Sequence, residues 1–154
     1  AIGDVTGKGA FTHISMYQAG IVLDQLLERP VTPADYRAVP RVTFTDPEIA
    51  SVGQSEEAAR QAGVEVASAV APLAESARGW IHGPGNDGLI KLVADTRRGV
   101  LVGGTSAGPT GGEVLGLLTV AIQADVPVEA LRHGIYAYPT FHRAVLDALS
   151  RLPG

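Results

Sequence analysis

Nineteen glycines and ten prolines interrupt the 154 residues, and their spacing dictates a fold of short elements joined by turns. Ala1-Ile2-Gly3-Asp4-Val5 reads as the end of a buried strand running into a loop with Gly7 and Gly9. The periodicity predicts a helix over His13–Glu28, where Ile14, Tyr17 and Ile21 begin an apolar stripe that drifts to Leu23, Leu26 and Leu27. Arg29-Pro30 ends it, because proline disfavours helical geometry at the residue before it. Residues 30–40, with Pro30, Pro33 and Pro40, read as a linker. Strand-like runs follow at 41–45 and 49–52, then a helix with Ser55 as cap, Glu56 and Glu57 in its first turn and Gly63 as its stop. Residues 64–72 form a further strand. Segments 88–95 and 100–105, joined by Thr96-Arg97-Arg98-Gly99, pair as a hairpin.

Helices complete the chain. In 113–124, Val114, Leu117, Leu118, Ala121 and Ile122 share one face while Leu115 and Val120 occupy the other. A helix so apolar all round is buried on more than one side, and a second copy of the chain could supply the extra cover. Residues 128–133 form a short helix, and Thr140 caps a last one reaching about Leu149. The fold class is α+β: an antiparallel sheet flanked by helices, preceded by a strand-helix segment.

Composition removes several functions. Hydrophobic residues at 45% and a mean hydropathy of +0.17 exclude a disordered chain. Twelve basic residues against sixteen acidic ones give −4, with no basic stripe, so nucleic acid is not an expected partner. No apolar run approaches the ~18 residues of a membrane span, and no signal-peptide pattern is present. The expected location is the cytoplasm. Absence of cysteine excludes a disulfide framework, a thiolate zinc site and a cysteine nucleophile within this chain. Ala1 already lies in the strand-like stretch, so the sequence reads as a piece whose beginning is elsewhere.

Candidate chemistry is sparse. Gly3-Asp4 at a strand end permits close backbone approach and offers a carboxylate to a ligand hydroxyl, although the same pair is also an ordinary turn. Gly3 to Gly7-Lys8 is one residue short of a phosphate loop, and Gly9 stands where Ser or Thr is needed. Gly104-Thr105-Ser106-Ala107-Gly108 has the form of a nucleophile elbow, with Asp125 and His133 or His142 following in hydrolase order. An elbow needs a sharp strand-to-helix turn, whereas Pro109, Gly111 and Gly112 separate Ser106 from the helix. Glu113 is expected to place its carboxylate at that helix's positive end, so the glycine-rich stretch before it need not bind an anion. The four histidines, His13, His82, His133 and His142, show no metal-ligand spacing, and no metal is expected. The densest functional cluster is Tyr136-Ala137-Tyr138-Pro139-Thr140-Phe141-His142-Arg143.

The order of these pieces resembles the C-terminal portion of the class I flavin-dependent pyridine nucleotide-disulfide oxidoreductases. The residues concerned are Ala1-Ile2-Gly3-Asp4-Val5 with the following helix, Pro40-Arg41-Val42-Thr43-Phe44-Thr45-Asp46-Pro47-Glu48-Ile49-Ala50-Ser51-Val52-Gly53, Gly108-Pro109 with Gly112-Glu113, and Tyr138-Pro139-Thr140. The resemblance implies that residues 1–35 are the last strand and helix of an FAD-binding domain and residues 40–154 a dimerisation domain. It implies contacts to FAD from Gly3, Asp4, Thr12 and His13, with Asp4 on a ribityl hydroxyl and Thr12 and His13 near the flavin ring. It also implies a homodimer, upstream domains of the same protein, and NAD(P)H as electron donor.

One departure bears on the chemistry. Members that use dithiols resemble this segment but carry His-Pro-Thr with a glutamate three residues after the threonine. Here Tyr138 stands at the histidine's place and Arg143 at the glutamate's. Tyrosine, with an ordinary pKa of about 10 against about 6.5 for histidine, cannot shuttle the same proton near neutrality. Tyr138 and His142 are the candidate catalytic residues, Tyr138 as hydrogen-bond donor and His142 as substitute base. Mercuric reductase-like members also have tyrosine in this region, which implies an acceptor other than a dithiol. Three readings stay open: part of a homodimeric flavoenzyme, inactive alone because its dinucleotide-binding units lie elsewhere; a stand-alone homodimeric binding or assembly module; or an independent enzyme using Ser106 or the Tyr138/His142/Arg143 cluster.

Overall fold

The computed structural model describes residues 1–153 and divides at Val39/Pro40 into two compact units. The first holds a single-turn 3-10 helix, Asp4–Thr6, and helix α1, Thr12–Leu26. The expected opening strand is not formed: Ala1 and Ile2 are exposed and in no ladder. A strand exists only against a neighbour that takes its backbone hydrogen bonds, and no segment of residues 1–39 supplies one. The face of α1 that is covered also differs from the expected stripe. Ile14 and Gln18 are buried, whereas Tyr17, Leu23, Leu26 and Leu27 are exposed.

From Pro40 on, five strands form one antiparallel sheet in the order β1-β2-β5-β4-β3. They are β1 (Pro40–Thr43), β2 (Glu48–Gly53), β3 (Val66–Pro72), β4 (Leu89–Asp95) and β5 (Val100–Gly108). The fold class is therefore α+β, as expected. The β4–β5 turn forms because Asp95 accepts the amides of Arg97 and Arg98 at 3.0 and 3.1 Å while Gly99 takes a φ of 65°. Strand β5 runs three residues past the expected end, so the glycines at 103, 104 and 108 belong to the sheet. Packing requires them there: a Cβ on Gly104 would lie 2.8 Å from the Leu118 side chain, and one on Gly108 would collide with Leu73.

Ala50, Ser106, Ile90 and Ala71 align across four strands on one sheet face, all fully buried. Helix α4 (Gly111–Gln123) covers this face over β5, β2 and β1, and α6 (Ala144–Ser150) covers β3 and β4. Helix α5 (Val128–Arg132) packs on α6. The Arg132 guanidinium ties the chain end down by donating to the carbonyls of Leu149, Leu152 and Pro153. On α4 both Leu115 and the Val114/Leu118/Ala121/Ile122 set are buried. Only Glu113, Gly116, Val120 and Gln123 are exposed, with Gly112, Leu117 and Thr119 at the margin. The opposite sheet face exposes Ile49 and Val70. On that face Lys91 of β4 meets Glu56 at 2.8 Å, on helix α2 (Glu56–Gln61), whose amide at Ala58 is capped by Ser55.

Candidate functional site

The candidate residues fall into two groups, one in each unit. In the first unit, Gly3 has a φ of 79° and is buried against α1, where a Cβ would lie 2.9 Å from Ser15 Oγ. Only glycine meets both the backbone sign and the close approach. Asp4 follows on the exposed side of the turn. Because Gly3 packs on α1, the loop bearing Asp4 lies along the helix that starts at Thr12 and His13, both exposed. The Phe11 and His13 rings stack at 5.0 Å, nearly parallel. Helix α1 begins without a side-chain cap, since Phe11 has no polar atom to offer. Its positive end is therefore available to an anionic or electron-rich group. Glycine at the close approach, an outward carboxylate and an uncapped 15-residue helix fit a ribityl chain and a flavin ring in chemical character.

The second group surrounds Tyr138, which is 69% exposed on the segment between α5 and α6. The segment is braced from within. Tyr136 donates its hydroxyl to the Leu131 carbonyl at 2.9 Å, and burial pushes its phenol pKa upward. Thr140 Oγ1 donates to the Ala137 carbonyl at 2.7 Å and accepts the Arg143 amide at 3.3 Å. Thr140 therefore caps a turn, and α6 starts only at Ala144, later than expected. The peptide bond between Tyr138 and Pro139 is cis. Outside this framework, the Arg143 guanidinium lies 5.4 Å from the Tyr138 ring centroid and pairs with Asp147 at 3.6 Å. His142 turns back into its own loop, with Nε2 3.5 Å from Thr140 Oγ1 and its ring 6.1 Å from that of Tyr136.

Phe141 joins this loop to an element absent from the sequence reading, helix α3 (Ala77–His82). The His82 ring meets Phe141 edge-on at 5.5 Å and the Arg78 guanidinium lies 5.4 Å from the same ring. Trp80, the chain's one tryptophan, is 80% exposed on α3. Ser76 was the available signal: its hydroxyl accepts the Gly79 amide at 3.0 Å as an ordinary cap. Gly83-Pro84-Gly85-Asn86-Asp87-Gly88, which the sequence reading passes over, has Gly-x-Gly-x-x-Gly spacing. It follows a helix and leads into β4, the reverse of the strand–turn–helix order that binds a pyrophosphate.

Two further features are settled by position. Ser106 lies mid-strand, 1% exposed, and its Oγ has no hydrogen-bond partner, so it is no activated nucleophile. At α4 the helix end carries Glu113 in its first turn and is also met by Glu48 from β2. Glu48 Oε2 accepts the Gly112 amide at 2.9 Å, and Glu113 is exposed. Among the described residues no three His, Asp or Glu side chains gather as a metal site, and no helix is long and apolar enough to cross a membrane.

The sheet order, with α4 and α6 covering one face, and the braced tyrosine loop define an α+β domain. Residues 39–149 match the family model for the pyridine nucleotide-disulphide oxidoreductase dimerisation domain, and the chain belongs to that family. Among relatives, it is 38% identical to a dihydrolipoyl dehydrogenase of Mycobacterium leprae over all of this chain and 33% of that protein. A dihydrolipoyl dehydrogenase of Geobacillus stearothermophilus is 33% identical over 96% of this chain and 31% of its own length. The structure superposes on LpdA from Mycobacterium tuberculosis with a TM-score of 0.89 at 28% identity, covering 98% of this chain and 33% of that one. On the HOCl-induced flavoprotein disulfide reductase RclA from Escherichia coli the TM-score is 0.88 at 28% identity, covering 98% and 35%. The chain spans about a third of the length of the curated relatives it matches.

Proposed function

We propose that the chain is the dimerisation portion of a homodimeric FAD-dependent NAD(P)H oxidoreductase. On this reading residues 1–35 close its FAD-binding domain and residues 40–154 pair with a second copy. The observation that carries it is the outward face of α4 on a domain of this family: Val120 is 65% exposed, and a Cβ on Gly116 would meet nothing within 4 Å. Small at Gly116 and apolar at Val120, with Glu113 and Gln123 at its ends, that strip suits the same strip of a twin across a two-fold axis.

FAD, when bound, would supply the redox chemistry, with NAD(P)H as electron donor. The chain's own residues hold and polarise. Asp4 accepts a hydrogen bond from a ribityl hydroxyl, Gly3 lets the backbone come close, and the start of α1 at Thr12 and His13 favours negative charge on the ring. Tyr138 projects toward the partner's flavin site as a hydrogen-bond donor. His142, turned toward Thr140, steadies the loop. Tyr136 keeps its proton because burial raises its pKa and its hydroxyl is committed to Leu131. A phenol at position 138, where dithiol-using members carry an imidazole, favours an electron acceptor other than a dithiol. Without a nucleotide-binding unit or a cysteine, the 154-residue chain alone should not turn over.

Gly116→Arg in the full-length protein tests the dimer. The open surroundings of Gly116 let the subunit fold with arginine there, while a facing copy would be pushed off. Sedimentation velocity should give a dimer for the native protein and a folded monomer for the variant. A Gly116→Arg protein that stays dimeric at native affinity would overturn the reading.

A further inference from the structure

We infer that Gln18 is a positioning residue for the flavin loop, an inference that rests on the proposed contact of Gly3 and Asp4 with FAD. Gln18 is a polar side chain on α1 with only 6% exposure. Each end of its amide is used. Oε1 accepts the Gly3 amide at 2.6 Å, and Nε2 donates to Thr6 Oγ1 at 2.9 Å and to the Tyr36 hydroxyl at 3.0 Å. Thr6 in turn donates its proton to the Gly3 carbonyl at 2.7 Å. Gly3 is thus gripped at both its amide and its carbonyl, and the residue that follows it is Asp4.

This grip holds the shape of the loop from within the unit. It also orients the amide of Gln18 without ambiguity. Gly3 N–H needs an acceptor, and the Thr6 hydroxyl, its own proton spent, needs a donor. Tyr36 is held from two further sides, by the Lys8 ammonium 5.3 Å from its ring centroid and by the Tyr17 ring at 6.0 Å. The residues 30–39 segment thereby joins the same lock. Gln18 touches no reacting atom in this arrangement. Its effect reaches FAD only through where it puts Gly3 and Asp4.

The test uses the full-length protein and FAD as the probe, with four variants: Asp4→Ala, Gln18→Leu, Thr6→Val and the Gln18→Leu/Thr6→Val double. FAD affinity is read by flavin fluorescence on the apoprotein, and the visible circular dichroism of the flavin is read at saturating FAD. Gln18→Leu fills a similar volume but breaks the grip. It should weaken FAD about tenfold, the effect of losing one to two hydrogen bonds, and alter the flavin dichroism. Thr6→Val should act in the same direction. The double variant should lose less than the product of the single losses, since both act through one network. Asp4→Ala separates the two claims. If Asp4→Ala weakens FAD while Gln18→Leu and Thr6→Val leave affinity and dichroism at native values, the inference on Gln18 is overturned and the FAD contact stands. If Asp4→Ala has no effect, the contact itself fails and the inference falls with it. Independent, multiplicative losses with unchanged dichroism would likewise reduce Gln18 to an ordinary structural residue and overturn it.

Discussion

Replacing Ser106 with alanine should make the domain more stable. The residue sits mid-sheet in β5, flanked by Ala50 on β2 and Ile90 on β4, and its hydroxyl is buried with no partner. A hydroxyl buried in that way costs about 1–3 kcal/mol relative to water in mutational series. Removing one oxygen leaves a void of roughly 20 Å³, and at about 24 cal/mol per Å³ the void takes back about 0.5 kcal/mol. The balance is a gain of about 1 kcal/mol, or about 2–4 °C in Tm for a domain of this size. Urea unfolding followed by far-ultraviolet circular dichroism measures it. Protein concentration must be fixed, because any pairing of copies makes apparent stability depend on it. The midpoint should rise with the slope unchanged. A midpoint that falls by the worth of a hydrogen bond would show that Oγ has a partner in the folded protein, and the reasoning would fail.

Two further outcomes follow from charges. Glu48→Ala removes the carboxylate that accepts the Gly112 amide and should destabilise the domain by about 1–2 kcal/mol, with Glu48→Gln losing less because an acceptor remains; the same urea assay reads both. Lys91, then Arg60 and Ser68, hold the Glu56 carboxyl down to about 2 from its ordinary 4.5. A depressed carboxyl pKa contributes stability above pH 4.5, and that share is lost as pH falls from 4.5 through 2. Acid titration of Glu56→Gln should therefore show a shallower loss across that window. Identical acid limbs in variant and native protein would contradict the assignment.

What the sequence could disclose depended on how local the cause was. The β4–β5 hairpin rests on Asp95 and Gly99 within its own turn, and α2 on its own cap Ser55, so both could be read directly. The opening strand could not, because its existence depends on a ladder from other residues. The partner of the α4 helix end was equally hidden: Glu113 is next to it in sequence, but Glu48 reaches it from β2 across 64 positions. Gln18 shows the same limit inside the candidate site. Gly3, Asp4, Thr12 and His13 came from resemblance to a family, whereas the residue that grips Gly3 is 15 positions away and looks in sequence like an ordinary polar surface position. Helix α3 was missed because Gly79 lies within it and a Gly-Pro-Gly run follows. Gly79 is nevertheless required, since any Cβ there would run into the Leu73 carbonyl.

The tyrosine loop separates what holds it from what it presents. Tyr136, Thr140 and Phe141 brace the segment through Leu131, Ala137 and α3, and none of those contacts uses the Tyr138 side chain. Tyr138 is touched by Arg143, whose guanidinium is itself anchored to Asp147. An exposed cation–π contact of this kind contributes only about 0.5–1 kcal/mol, too little to decide whether the loop forms. Geometry at position 138 is therefore fixed by its neighbours, while the chemical group displayed there can change at small cost to the fold. On the proposed reading, exchanging an imidazole for a phenol at this position leaves docking against the second copy intact and alters only proton delivery. Pairing of the two copies and choice of electron acceptor then rest on different residues, the outward strip of α4 for the first and the tip of the braced loop for the second.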